Sequence, residues 1–170
     1  MRRTFVVAVS AAAVISMIVV PGCASAQPPA GGAPDMSGFA DVTNDFSGPS
    51  ARNAGTIALF STPDGLSCGA SLDGGLAHCT GALPGVANLP IGGSTQGSCD
   101  LGLAQVTSGG TAFINHYKGN CPAPSGLKVL SPGQKLSGGG ITCGVADGGV
   151  TACVSGPHGF VLQPSGSSSF

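Results

Sequence analysis

The stretch GITCGVADGGVTAC, residues 140–153, occurs nearly twice in this chain, and no other feature constrains the fold as strongly. The earlier copy is GLSCGASLDGGLAHC, residues 65–79, and one residue of gap aligns the two. Gly65, Cys68, Gly69, Asp73, Gly74, Gly75 and Cys79 then match Gly140, Cys143, Gly144, Asp147, Gly148, Gly149 and Cys153. With 30 glycines in 170 residues the Gly matches are weak, so the paired Cys and Asp carry the weight. Each copy reads as a hairpin stapled across its two strands. With Cys68 opposite Cys79, Leu72 faces Gly75 and Asp73-Gly74 forms a two-residue loop. Asp-Gly suits a type I′ turn, whose two central residues need positive φ. In the second copy Cys143 opposite Cys153 leaves a three-residue loop, 147–149, which can place glycine in the left-handed region. Directly opposed strand residues lie within disulfide reach.

Short segments with strand chemistry continue on both sides of the repeat. They cover 56–60, 66–70, 76–80, 101–107, 111–116, 127–130, 141–145, 150–154 and 159–162. Pro63-Asp64-Gly65, Ser108-Gly109-Gly110 and Ser131-Pro132-Gly133 separate them with turn chemistry. No window carries a capped apolar stripe of helical period. The pattern predicts one all-β domain over 56–163, a small disulfide-stapled antiparallel barrel or sandwich of short hairpins. Residues 27–55, beginning QPPAGGAP, read as a Pro/Gly-rich tether, and 164–170 as a disordered tail. Phe39 and Phe46 are the residues through which the part from Met36 onward would dock on the domain.

The N-terminus reads as an export signal. Arg2 and Arg3 precede an apolar run over 5–20, which is short of the roughly 20 residues a spanning helix needs. Two processing sites compete just after it. Cleavage following Ala24-Ser25-Ala26 would end the signal at 26. Val20-Pro21-Gly22-Cys23 resembles a lipobox, which would end the signal at 22 and place a lipid on Cys23, the single route to a membrane. Either outcome leaves six cysteines, Cys68, Cys79, Cys99, Cys121, Cys143 and Cys153, an even number in a short exported chain and hence a disulfide framework. The repeat pairs Cys68 with Cys79 and Cys143 with Cys153, and Cys99–Cys121 follows by elimination. Such staples suit a chain with seven Phe, one Tyr and no Trp, whose core must come from small aliphatic side chains. Its glycines also add to the backbone entropy lost on folding.

Charge excludes some partners. The chain after the signal has four basic residues, Arg52, Lys118, Lys128 and Lys135, against seven Asp and no Glu, a net charge of −3. No basic patch is available for nucleic acid or an anionic lipid surface. Only 8% of the chain is charged, against about 25% for an ordinary soluble domain. The surface is therefore neutral, which favours close contact with an unknown envelope or extracellular ligand.

FSTPDGLSC with DGGLAHC, the central CDLGLAQV and the final GITCGVADGGVTACVSGPHGF resemble a group of actinobacterial exported proteins that share a domain of unknown function. Mycobacterial exported proteins and lipoproteins are similar in this layout. The likeness covers 56–162, and Pro157-His158 stands where a Gly-His pair is more usual. The resemblance implies a small all-β exported domain and carries no catalytic residues over.

Catalytic and metal-binding patterns are sparse. His78, His116 and His158 are not spaced as metal ligands, and the cysteines form no Cys-x₂-Cys knuckle. Neither a Gly-x-Ser-x-Gly elbow nor a Ser-x-x-Lys pair accompanies a base. The Asp residues at 64, 73, 100 and 147 mostly occupy turns, where their side chains have a local structural use. DGG and SGGG lack the lysine and following helix of a phosphate loop. The expectation is a non-catalytic exported module without cofactor or metal. Its contacts would come from the low-charge β surface and the loops 121–126 and 157–160, with His116, His158 and Phe160 as binding residues. The alternative is a secreted disulfide-rich peptidase inhibitor or, less favoured, a hydrolase.

Overall fold

The computed structural model describes residues 32–49, 55–86, 99–119 and 126–170, and only the backbone of 99, 100 and 116–119. The expected all-β fold is present, as a sandwich rather than a closed barrel. One sheet, sheet A, contains β1 (Ala40–Asp41), β8 (Gln134–Gly138), β9 (Ile141–Ala146), β10 (Val150–Ser155), β11 (His158–Leu162) and β12 (Ser168–Ser169), in that order. The other, sheet B, contains β2 (Ser47–Pro49), β3 (Thr56–Ser61), β4 (Ser67–Ser71), β5 (Leu76–Gly81), β6 (Cys99–Thr107) and β7 (Ala112–Gly119). Both are antiparallel meanders, except that β1 joins β8 in parallel.

Alternation along each strand sends one set of side chains into the space between the sheets. In sheet B a row runs Phe60, Cys68, Cys79, Ala104 and Ile114, each opposite the next. In sheet A the corresponding row is Leu136, Cys143, Cys153 and Phe160. All these residues belong to one apolar core, and both predicted staples lie inside it. Cys68–Cys79 and Cys143–Cys153 are both formed, with Cα separations of 4.1 and 4.0 Å. Cys121 and the Cys99 side chain, hence the third expected bridge, lie outside the described residues.

The sequence repeat therefore marks a larger duplication. Each stapled hairpin is the second and third strand of a five-strand meander, β3–β7 or β8–β12, and the meanders face each other across the core. The registers confirm the second turn and correct the first. Ala146 pairs with Val150, leaving the three-residue loop, with Gly148 and Gly149 at φ +77° and +74°. In the first copy Ser71 pairs with Leu76, so the register is as expected, but neither Asp73 nor Gly74 has positive φ. Instead the Gly75 N–H donates to the Ser71 carbonyl at 3.1 Å, and Gly75 alone turns left-handed, at φ +60°. The connection is a four-residue turn ended by one glycine, not a type I′ turn. A Cβ on Gly75 would stand 2.4 Å from Ser108 Cβ, so close approach also demands glycine there.

Four further differences follow from pairing that local sequence does not show. First, the tether expected over 27–55 is built into the sandwich over 32–49. β1 lines β8, β2 lines β3, and the single helical turn α1 (Thr43–Phe46) carries the chain from one sheet to the other. Asp41 Oδ1 accepts hydrogen bonds from the Thr43 N–H (3.0 Å) and hydroxyl (2.6 Å), while Ser137 N–H donates to Thr43 Oγ1 at 2.8 Å. Second, the tail expected to be disordered over 164–170 returns as β12, and Phe170 and Gly159 exchange two backbone hydrogen bonds. Third, QKLSG forms β8, although it offers a single apolar residue, because Leu136 is buried and β9 supplies a complete ladder. Fourth, the strand expected over 127–130 is reduced to one parallel bridge, Ser61 with Val129.

Candidate functional site

Strands with alternating faces leave each sheet an outer surface, and the two differ. On sheet A the outer row runs Lys135, Gly144, Ala152, Val161 and Ser168. This surface is roofed by the chain itself. Met36 is buried over it, and a Cβ on Gly144 would meet Met36 Sδ at 2.6 Å and Phe39 Cδ2 at 3.2 Å. Ala33 and Phe170 pack on Val150, Ala152 and Val161, and Lys135 Nζ donates to the Met36 carbonyl at 3.0 Å.

The same row on sheet B is Leu59, Gly69, His78, Gln105 and Phe113. Here a groove of about 440 Å³ lies open between β3, β4 and β5, lined chiefly by Ile57, Leu59, Gly69, Leu76, His78 and Asp73. Leu59 is 47% exposed, unusual for a large aliphatic side chain in mid-strand. Contiguous exposed apolar surface rimmed by polar groups marks an interaction site more often than an isolated exposed residue does.

The groove's floor follows from Gly69. A Cβ at that position would lie 2.9 Å from His78 Cε1 and 3.1 Å from Leu59 Cδ2, so the missing side chain lets both neighbours lean over the strand. His78 is half-buried, and this desolvation pushes its imidazole below the ordinary value of 6.5. At neutral pH it presents an uncharged ring with one donor and one acceptor nitrogen. Asp73 closes one end, where its Oδ2 accepts the Thr56 N–H at 2.5 Å. Ser71 Oγ accepts the Gly74 N–H at 3.0 Å. Among the described residues the lining is thus mostly apolar, with one neutral imidazole, one hydroxyl and the Asp73 carboxylate at one end.

The residues expected to bind are not brought together. Phe160 is fully buried in the central core, which corrects its assignment as a contact residue: opposite Cys153, it faces the other sheet. His158 starts β11, half-buried, with its ring against the β6–β7 turn near Gly110. His116 pairs with Gly102 in β7, and its side chain lies outside the described residues, as does the loop 121–125. Among the described residues no hydrogen bond joins His78 or His158 to a carboxylate, and no three metal-binding side chains cluster. His78, the residue before Cys79 in β5, stands on the face opposite the disulfide, as strand alternation requires. The rest of the groove had a signal in the sequence: TIALF is apolar on both faces of its strand, not one.

The molecule is thus defined as a disulfide-stapled, internally duplicated β-sandwich with one open outer face. No family model, curated protein or solved structure matches it.

Proposed function

We propose that the chain is an exported, non-catalytic binding module whose ligand surface is the groove on sheet B. The observation that carries this reading is the asymmetry of a duplicated architecture: one outer face is roofed in cis, while the equivalent face keeps an apolar groove. Export is supported by the disulfides, which persist in oxidising compartments. It is also supported by the signal-like N-terminus, with release after Ala26 or a lipid on Cys23 as its two outcomes. The resemblance to actinobacterial exported β domains agrees with an envelope or extracellular site of action. Low charge fits an uncharged ligand and disfavours nucleic acid.

The test is titration of the disulfide-bonded protein with an uncharged solvatochromic dye such as Nile red. Saturable one-to-one binding is expected, with loss of at least tenfold in affinity on Leu59→Lys while far-UV circular dichroism is unchanged. Equal binding by the wild type and Leu59→Lys would remove the groove from consideration.

A further inference from the structure

Resting on that reading of the groove, we propose that its ligand is an uncharged peptide segment of a partner protein. Such a segment would carry a large flexible or aromatic apolar side chain and lie across β3–β5 as the chain's own residues 33–39 lie across sheet A.

Equivalence of the two faces is residue by residue. Phe60 and Leu136 occupy the same place before the stapled hairpin, each opposite its first cysteine, which makes Leu59 the counterpart of Lys135. Gly69 corresponds to Gly144, and His78 to Ala152, one residue from each cysteine. A glycine in both copies removes the Cβ that would bar an apolar side chain from the sheet. On sheet A that space is taken by Met36 and Phe39, whose backbone is tied down through the Met36 carbonyl. A folded segment with these residues thus fits the sheet A copy, while at Gly69 the corresponding space is flanked by His78 and Leu59.

The substitutions between the faces then specify how the second occupant differs. Lys135 becomes Leu59, so the donor that holds a backbone carbonyl is replaced by apolar contact area. Ala152 becomes His78, whose ring fills part of the space that Met36 takes on sheet A. The partner's side chain therefore enters beside His78, against Ile57, Leu59 and Leu76. Donors for a backbone carbonyl remain in Ser71, whose oxygen is occupied as an acceptor, and in the His78 ring. Charge complementarity sets the sign. Among the described residues the lining holds no cation, and its carboxylate, Asp73, sits at an end, so an acidic segment is repelled there and a neutral one is not.

The experiment uses a capped peptide of sequence APNMSGFA, which copies residues 33–40 with Asp35→Asn, against the complete disulfide-bonded protein labelled at its methyl groups. Saturable shifts at Ile57, Leu59 and Leu76 are expected. Binding should weaken at least tenfold on Leu59→Lys, and equally when Ser replaces both Met and Phe in the peptide. Leu59 is exposed enough that this variant keeps its fold; Leu76→Lys supplies a second position. Nile red bound in the groove without peptide binding would overturn the peptide proposal and leave the groove reading intact. Failure of both probes would overturn both. Peptide shifts confined to Ala152 and Val161 would mean exchange onto sheet A and would also overturn the proposal, as would equal binding by a peptide with Glu at the Asn position.

Discussion

The two sheets are built from the same stapled hairpin, yet they use their outer faces in opposite ways. Inside, the halves agree: each places its disulfide in a cross-strand row that meets the other's in one core. Outside, Lys135, Gly144 and Ala152 accept a roof from residues 33–39, while Leu59, Gly69 and His78 line an open groove. The difference teaches that duplicated packing fixes the positions facing the core and leaves the outward ones free to diverge. In a chain with so few bulky residues, the core needs both staples, but only one outer face needs a cover.

The largest test of the shared half of this comparison is reduction. Each bridge closes a loop of similar length, with sequence separations of 11 and 10. The chain-entropy account gives each about 3 kcal/mol, so removing Cys68–Cys79 or Cys143–Cys153 by paired Ala substitutions should cost nearly the same. Urea midpoints would show the match. Reducing every bridge should unfold the domain at 37 °C, read as loss of its far-UV circular dichroism, since that total rivals ordinary domain stabilities of roughly 5–15 kcal/mol.

Next come the facing aromatics. Phe60→Ala and Phe160→Ala each empty a fully buried site and should cost about 3–5 kcal/mol, again measured by urea unfolding. The outer faces should part company at a smaller scale. Met36→Ala should destabilise by about 2 kcal/mol, the low end for a buried Met, because it lifts the roof from sheet A. Leu59→Ala, on the open face, should stay within about 0.5 kcal/mol. Equal effects would abolish the asymmetry.

The smallest expected effect is a pH dependence between pH 5 and 8 that comes from His78 on sheet B. His78 has a folded-state pKa below the 6.5 of the unfolded chain because burial disfavours the imidazolium. Between those two values the unfolded state binds more protons. Stability is therefore fully present above pH 6.5 and declines as pH falls toward the folded value. The neighbours across the sheet, Leu59, Gly69 and Gln105, carry no charge, and Asp73 is the one acidic or basic side chain besides His78 among the described residues of the groove lining. His78→Asn should flatten this part of the pH profile, measured as urea midpoints from pH 5 to 8; its counterpart position, Ala152, has nothing to titrate.

How much of this was legible in the sequence depended on whether the information was local. Cysteine spacing and turn chemistry gave both hairpins their register, because alternation and disulfide reach must agree. The first turn's form was misread because Asp-Gly suits type I′ in isolation, while the next glycine and the nearby Ser108 decide it. Residues 32–49 read as a tether because β1 and β2 are only two and three residues long, with no alternation of their own, and their partners lie elsewhere in the chain, in β8 and β3. Phe160 read as a loop contact through its place after Pro157-His158. Alternation from Cys153 across the strand pair would have turned it inward. The groove was the least visible part, since it depends on three strands meeting side by side.

The most direct measurement of the central claim is methyl relaxation by a soluble, uncharged paramagnetic probe on the native protein. We expect strong relaxation of the Leu59 methyl groups, with Ile57 and Leu76 also reached, while Ala152 and Val161 at the equivalent face of sheet A stay protected at 0% and 3% exposure. Protection of both faces alike, or exposure of both, would contradict an architecture in which one face is roofed by its own chain and the other is open.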